Sequence, residues 1–162
     1  MVNPVDRNHR NADLILGWLF VGLMLLMLAT YIIICHTFGE QIQQVMPEAQ
    51  RLQLRTLLYA VAIIIFPLTN LTRHVQMRLN QTMPCTEADY PRVAKSRYLT
   101  TVIVSLSLIE MVGIFGLIMF IVGDGFNTLY IFSGLSTLGL FLYRPKIEEY
   151  IGIIEALAAQ HE

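Results

Sequence analysis

Charge is what this chain has least of. Only 14% of its 162 residues are Asp, Glu, Lys or Arg, where a soluble domain carries about 25%. That is too little polar surface to cover a water-facing domain. Net charge is −1, so no basic field draws nucleic acid, and no run resembles a nucleic-acid reader. The two cysteines, Cys35 and Cys85, have no metal-ligand companions at useful spacing. Histidine is scarce as well. His9, His36, His74 and His161 fall at helix ends or tails, without the facing pair a bis-histidine haem site needs. The methionines show no repeated spacing and read as helix filling rather than a copper site. There is no Ser-His-Asp set, Cys-His pair, phosphate-binding glycine loop or pair of acids. No cofactor or metal is expected, and an enzyme is the least supported class.

What the chain does have is apolar sequence in blocks, within a length that fits one domain. The blocks run from Leu14 to Cys35, Leu57 to Leu71, Tyr98 to Gly123 and Leu129 to Tyr143. A membrane-spanning helix needs about 20 apolar residues, with a range near 17–25. The first and third blocks qualify alone, and the other two borrow flanking residues. The expected fold is all-α, with four transmembrane helices in two hairpins at about 14–36, 52–73, 97–123 and 126–144. Residues 145–162 form a C-terminal amphipathic helix and tail. The first block is too long, and its end "YIIICHTF" too bulky, for a cleaved signal peptide.

None of the eleven Lys and Arg residues lies inside a block. Arg7 and Arg10 precede the first helix. Arg73, Arg78, Arg92, Lys95 and Arg97 lie between the second and third, and Arg144 and Lys146 follow the fourth. Only Arg51 and Arg55 fall on the other face. The positive-inside rule then puts both termini and the middle loop in the cytoplasm. The two cysteines fall on opposite faces and cannot pair within one chain. The expected location is a bacterial inner membrane, crossed several times.

Prolines and glycines mark the joints. Pro47 is placed to open the second helix, and Pro91 after Asp89 the third. Pro67 removes a backbone donor inside the second helix, and Thr69 or Asn70 could serve the carbonyls it frees. "GDGFN", Gly123 to Asn127, reads as a tight external turn. After Arg144-Pro145, the residues Ile147, Tyr150, Ile151, Ile154 and Leu157 recur at helical spacing. The opposite face carries Glu148, Glu149 and Glu155. An acidic face suits packing on the middle loop or another subunit better than lying on anionic lipid.

One residue breaks the apolar pattern. "SLSLIEMVGIFGLIMFIVG", Ser105 to Gly123, holds Glu110 near its middle, roughly 20 Å from either end of the span. No cation shares the membrane interior with it. Burial without an opposing charge disfavours the ionised form, so a neutral, hydrogen-bonding acid is expected. Ser107, Gly113, Leu106 and Leu117 share its face of the third helix. Ser133, Ser136 and Thr137 line one stripe of the fourth. Small and hydroxylated residues are what membrane helix contacts use. The expected site is Glu110 with Ser107, Ser136 and Thr137, the acid bonding Ser136, Thr137 or a carbonyl. Gly113, Gly116 and Ser133 are its packing notches.

Leu108-Ile109-Glu110 followed by Phe115-Gly116-Leu117 resembles the carboxylate helix of rotary ATPase c subunits. That resemblance implies that Glu110 binds a proton or sodium ion in a ring. The whole layout, with a glutamate and "FGL" in the third helix, resembles small four-helix membrane proteins of bacteria that are poorly characterised. The second helix has no glycine, whereas a c ring needs glycine for close inner-helix packing. The preferred expectation is a non-catalytic membrane protein. Its partners are the lipid bilayer and either further copies of itself or other membrane subunits. The alternative is a c-subunit-like ion-translocating subunit.

Overall fold

The structure is a computed structural model and describes residues 14–84 and 90–160. Arg7, Arg10, His9, Cys85, Asp89 and His161 lie outside the described residues. All secondary structure among the described residues is helical: α1 (Ile15–Ile42), α2 (Glu48–Thr82), α3 (Tyr90–Ile121), α4 (Phe126–Leu142) and α5 (Ile147–Ala158). At 1.5 Å per residue, α2 and α3 run about 52 and 48 Å, well beyond a hydrocarbon core of about 30 Å. Both therefore extend past the apolar blocks from which they were read. So does α1, which continues through His36 to Ile42. Three helices are long and apolar enough to cross a membrane. α4 and α5, bent by 43° at their joint, supply up to a fourth crossing.

α3 is the hub and packs against all four other helices. Ala94, Tyr98, Val102, Leu106, Ile109, Val112 and Met119 are sealed from solvent along its length. A helix apolar on all sides belongs at the centre of a bundle. α1 is just as apolar but buries only Gly17, Val21, Leu28 and Cys35. Those steps of four, seven and seven keep one narrow stripe on its neighbours. The rest, from Ile15 and Leu19 to Ile33 and Phe38, is exposed. α2 likewise buries the stripe Ala62, Ile65, Thr69 and Arg73 and exposes Ile63, Ile64 and Leu71. Exposed apolar faces of this size suit lipid, not water.

α5 packs on the extended ends of α2 and α3. Its buried side chains are Tyr150, Ile153, Ile154 and Leu157, at i, i+3, i+4 and i+7. Ile153 replaces Ile151 on the expected stripe, and Ile151 sits half-buried at its edge. Glu149 is not on an outer acidic face. It turns inward to a buried arginine, because the inner side of α5 meets a cation on α2. Pro67 lies within α2, which continues past it as one helix. Neither Thr69 nor Asn70 serves the backbone there, since the Thr69 hydroxyl is buried without a partner among the described residues and Asn70 is exposed. The Tyr143 hydroxyl arrives from beyond α4 and donates to the Phe66 carbonyl at 3.0 Å.

At the other end, the link between α1 and α2 lies across the α3–α4 turn. Gln44 and Met46 donate from their backbone N–H groups to the Ile121 and Val122 carbonyls at 2.7 and 3.0 Å. Gly123 turns the chain here with φ +91°, a conformation that glycine takes without strain. A Cβ there would also press on Val45.

Candidate functional site

Glu110 sits half-way along the apolar length of α3 and is 4% exposed. A residue on a helix is rotated 100° from its predecessor. Ile109 faces α4, where the Ser136 hydroxyl donates to its carbonyl at 3.0 Å and its side chain fills the space beside Gly139. Glu110 is therefore swung away from α4 and towards α1. Tyr31 on α1 lies in range to interact with its carboxyl group. Neither carboxyl oxygen has a partner in hydrogen-bond geometry among the described residues.

The expected bonds to α4 do not form. Ser136 is spent on Ile109, and Thr137 donates to the Ser133 carbonyl one turn back, at 2.8 Å. Ser107, two residues after buried Ser105, is turned outward and exposed. The Ser133 hydroxyl is buried and has no partner among the described residues. The small residues do make the helix contacts. A Cβ on Gly116 would meet the Leu129 carbonyl oxygen at 3.1 Å and Phe132 at 3.0 Å. Gly113 lies at the corner where Leu28 of α1 and Ser136 of α4 both close on α3. The Phe132 ring then stacks on Tyr59 of α2 at 4.7 Å and meets Phe115 edge-on.

A second polar site was not legible in the sequence. Arg73 of α2 is 6% exposed and reaches under the end of α4. It donates to the Tyr143 and Arg144 carbonyls at 2.7 and 3.3 Å and to Glu149 Oε2 at 2.6 Å. Beside it the Tyr98 hydroxyl accepts from the Lys146 N–H at 2.6 Å and donates to the Lys146 carbonyl at 2.9 Å. Together these pin the α4–α5 corner to α2 and α3. The carbonyls at a helix C-terminus lack intrahelical partners and carry partial negative charge, and α4 has no basic residue in its own last turn.

The same device recurs twice. α2 ends without a cation of its own, and Arg97 of α3 donates to the Asn80, Met83 and Pro84 carbonyls at 3.2, 3.0 and 3.2 Å. α3 also ends without one. There Arg51 of α2 donates to the Gly123 carbonyl at 3.0 Å, and Arg55 lies 3.5 Å from buried Asp124. Arginine suits these places because its planar fork can serve two or three acceptors at once. Each partner is distant in sequence, so no local pattern announces it.

Cys35 is buried at 1%. His36 bonds the Tyr130 hydroxyl at 2.6 Å and stacks on Phe126 at 4.5 Å. Among the described residues no three His, Cys, Asp or Glu side chains gather as metal ligands. Comparison with protein-family models, curated proteins and solved structures finds no match to this chain. The likeness of α3 to the c-subunit helix therefore rests on its residues alone.

Proposed function

We propose that this is a non-catalytic integral membrane protein of the bacterial inner membrane, with both termini in the cytoplasm. It assembles with copies of itself or as an accessory subunit of a larger membrane complex. Glu110 is a protonated acid held between α3 and α1, with Tyr31 in range of its carboxyl group. The observation that carries the reading is the burial of Glu110 inside a single chain. An intramembrane acid that serves a ring must be reached from a neighbouring subunit, and here α1 covers it. Ser136 and Thr137 of α4 are turned to backbone carbonyls, which is bundle structure rather than a relay.

The ring-forming, proton- or sodium-translocating alternative draws on one observation: both Glu110 oxygens lack a partner among the described residues, and intramembrane acids are functional by default. Particle mass and symmetry of the full chain in mild detergent separate the two. A monomer, a dimer or a complex with other subunits supports the assembly reading. A closed ring of many copies overturns it. Orientation is tested with an impermeant thiol reagent on intact cells, using cysteines placed at exposed Glu40 and Glu155. Labelling of Glu40→Cys alone is expected, and preferential labelling of Glu155→Cys would reverse the topology.

A further inference from the structure

A cleft of about 420 Å³ opens beside the Arg73 corner, between α2 and the end of α4. Its upper wall is Phe66, Pro67 and Leu142, and its floor is Asn70, Arg73, Lys146 and Glu149. Along α2, Arg73 is eighteen residues beyond Arg55, about 27 Å. That matches a hydrocarbon core of about 30 Å, so the cleft floor falls at one boundary of the apolar layer. Exposed Leu68 of α2 and Leu138 and Phe141 of α4 continue the apolar surface away from the floor.

The charge of the floor does not balance. Arg73 and Lys146 contribute two positive charges and Glu149 one negative charge, leaving one positive charge over. Arg73 is already committed to Glu149 at 2.6 Å, whereas the Lys146 side chain is half-exposed and its Nζ reaches no closer than 4.0 Å to the same carboxylate. Lys146 is therefore the cation with room for a further anion. We propose that this cleft is a binding site for an anionic phospholipid of the phosphatidylglycerol type. Its phosphodiester sits on Lys146 beside Asn70, and an acyl chain lies against Phe66 and Leu142. A monoanionic phosphodiester supplies the one negative charge the floor lacks. The apolar wall above it suits an acyl chain, which a free phosphate does not have. Basic pockets between membrane helices are a known setting for anionic headgroups. The inference rests on the membrane placement proposed above, but not on the assembly role.

The test is native mass spectrometry of the full chain, purified in detergent and offered phosphatidylglycerol or phosphatidylcholine at equal concentration. Retention of phosphatidylglycerol over phosphatidylcholine is expected. Lys146→Glu should lower it at least about fivefold, the effect of one basic residue at a membrane surface. Leu142→Trp, which fills the apolar wall, should lower it as well. Both side chains are exposed, so both variants should fold, and unchanged circular dichroism verifies that. Inorganic phosphate in millimolar excess should not displace the lipid. Equal retention of the two lipids overturns the site, as does phosphatidylglycerol binding indifferent to both substitutions. Displacement by phosphate overturns the lipid assignment. Alkaline extraction of membranes is run in parallel: release of the protein there rejects the membrane placement itself, whereas a retained protein without lipid preference rejects only the site.

Discussion

Arg73 and Glu110 are buried to nearly the same degree, 6% and 4%, and their surroundings could hardly differ more. Arg73 lies at a bundle end, where α4 has just stopped and leaves carbonyls without partners. Three acceptors converge on it. Glu110 lies mid-helix, where each neighbouring N–H and C=O already makes its helical bond, and both its oxygens are without partners among the described residues. Burial alone therefore says little about a polar side chain. What counts is whether the backbone around it has unused hydrogen-bonding capacity. Helix ends leave whole carbonyls unpaired, whereas a mid-helix carbonyl offers only its second lone pair, as Ile109 does to Ser136.

That contrast is broken most severely at Arg73. Arg73→Met keeps the length of the side chain and removes its donors. Two carbonyls then lose their donor and Glu149 keeps only Lys146 at 4.0 Å and the Tyr98 hydroxyl at 3.4 Å, which costs about 3 kcal/mol. Unfolding of the detergent-solubilised chain, followed by circular dichroism in an SDS titration, measures it. A loss under about 1 kcal/mol would mean that water already serves these groups and that the corner is not a cap.

The glycine notches come next. Gly116→Val pushes side-chain atoms into the Leu129 carbonyl and Phe132, and overpacking of this kind costs about 1–3 kcal/mol. Gly22→Ala and Gly134→Ala meet open space and should be neutral or slightly stabilising, since alanine is the better helix former by about 1 kcal/mol. The same titration ranks the three. Equal losses at all three would refute the packing described for α3.

A similar but local effect is expected at α5. Leu157→Ala empties a fully buried position and costs about 2–3 kcal/mol where α5 docks. Amide exchange over 147–158 should then speed up while α3 stays protected. Uniform acceleration along the whole chain would show that α5 does not open separately.

The smallest effect is expected at Glu110. Glu110→Gln should leave assembly and stability unchanged. Glu110→Leu and Tyr31→Phe should each cost no more than about 0.6 kcal/mol, the average of measured membrane hydrogen bonds. A loss comparable to that of Arg73→Met would mean that the acid is bonded by a group outside this chain. Abolished ion transport with assembly intact in Glu110→Gln would favour the ring-forming alternative.

The orientation argument is also sharpened by where the arginines go. The basic asymmetry counts Arg73 and Arg97 on one face and Arg51 on the other. In the fold all three cap helix ends, so each has a structural reason to stand where it does besides orientation. Arg78, Arg92 and Arg144, all exposed, remain as the weight behind the proposed topology.

The sequence by itself determined the helical class, the number of apolar segments and most of their joints, because these depend on composition and on near neighbours. Twenty apolar residues make a candidate span wherever they occur. Pro47 opens α2 and Gly123 turns the chain through geometry contained in one residue. It also marked Gly113 and Gly116 as packing notches, since small residues at a helix contact need only be small. Only the tertiary structure decided which helix each face meets. Glu110 was read against α4 and lies against α1, because a rotation of 100° between adjacent residues separates two neighbours and a uniformly apolar helix does not show which neighbour is where. The Arg73–Glu149 pair spans 76 residues of sequence. It forms because α4 ends beside α2 with its carbonyls unpaired, and no local pattern carries that information.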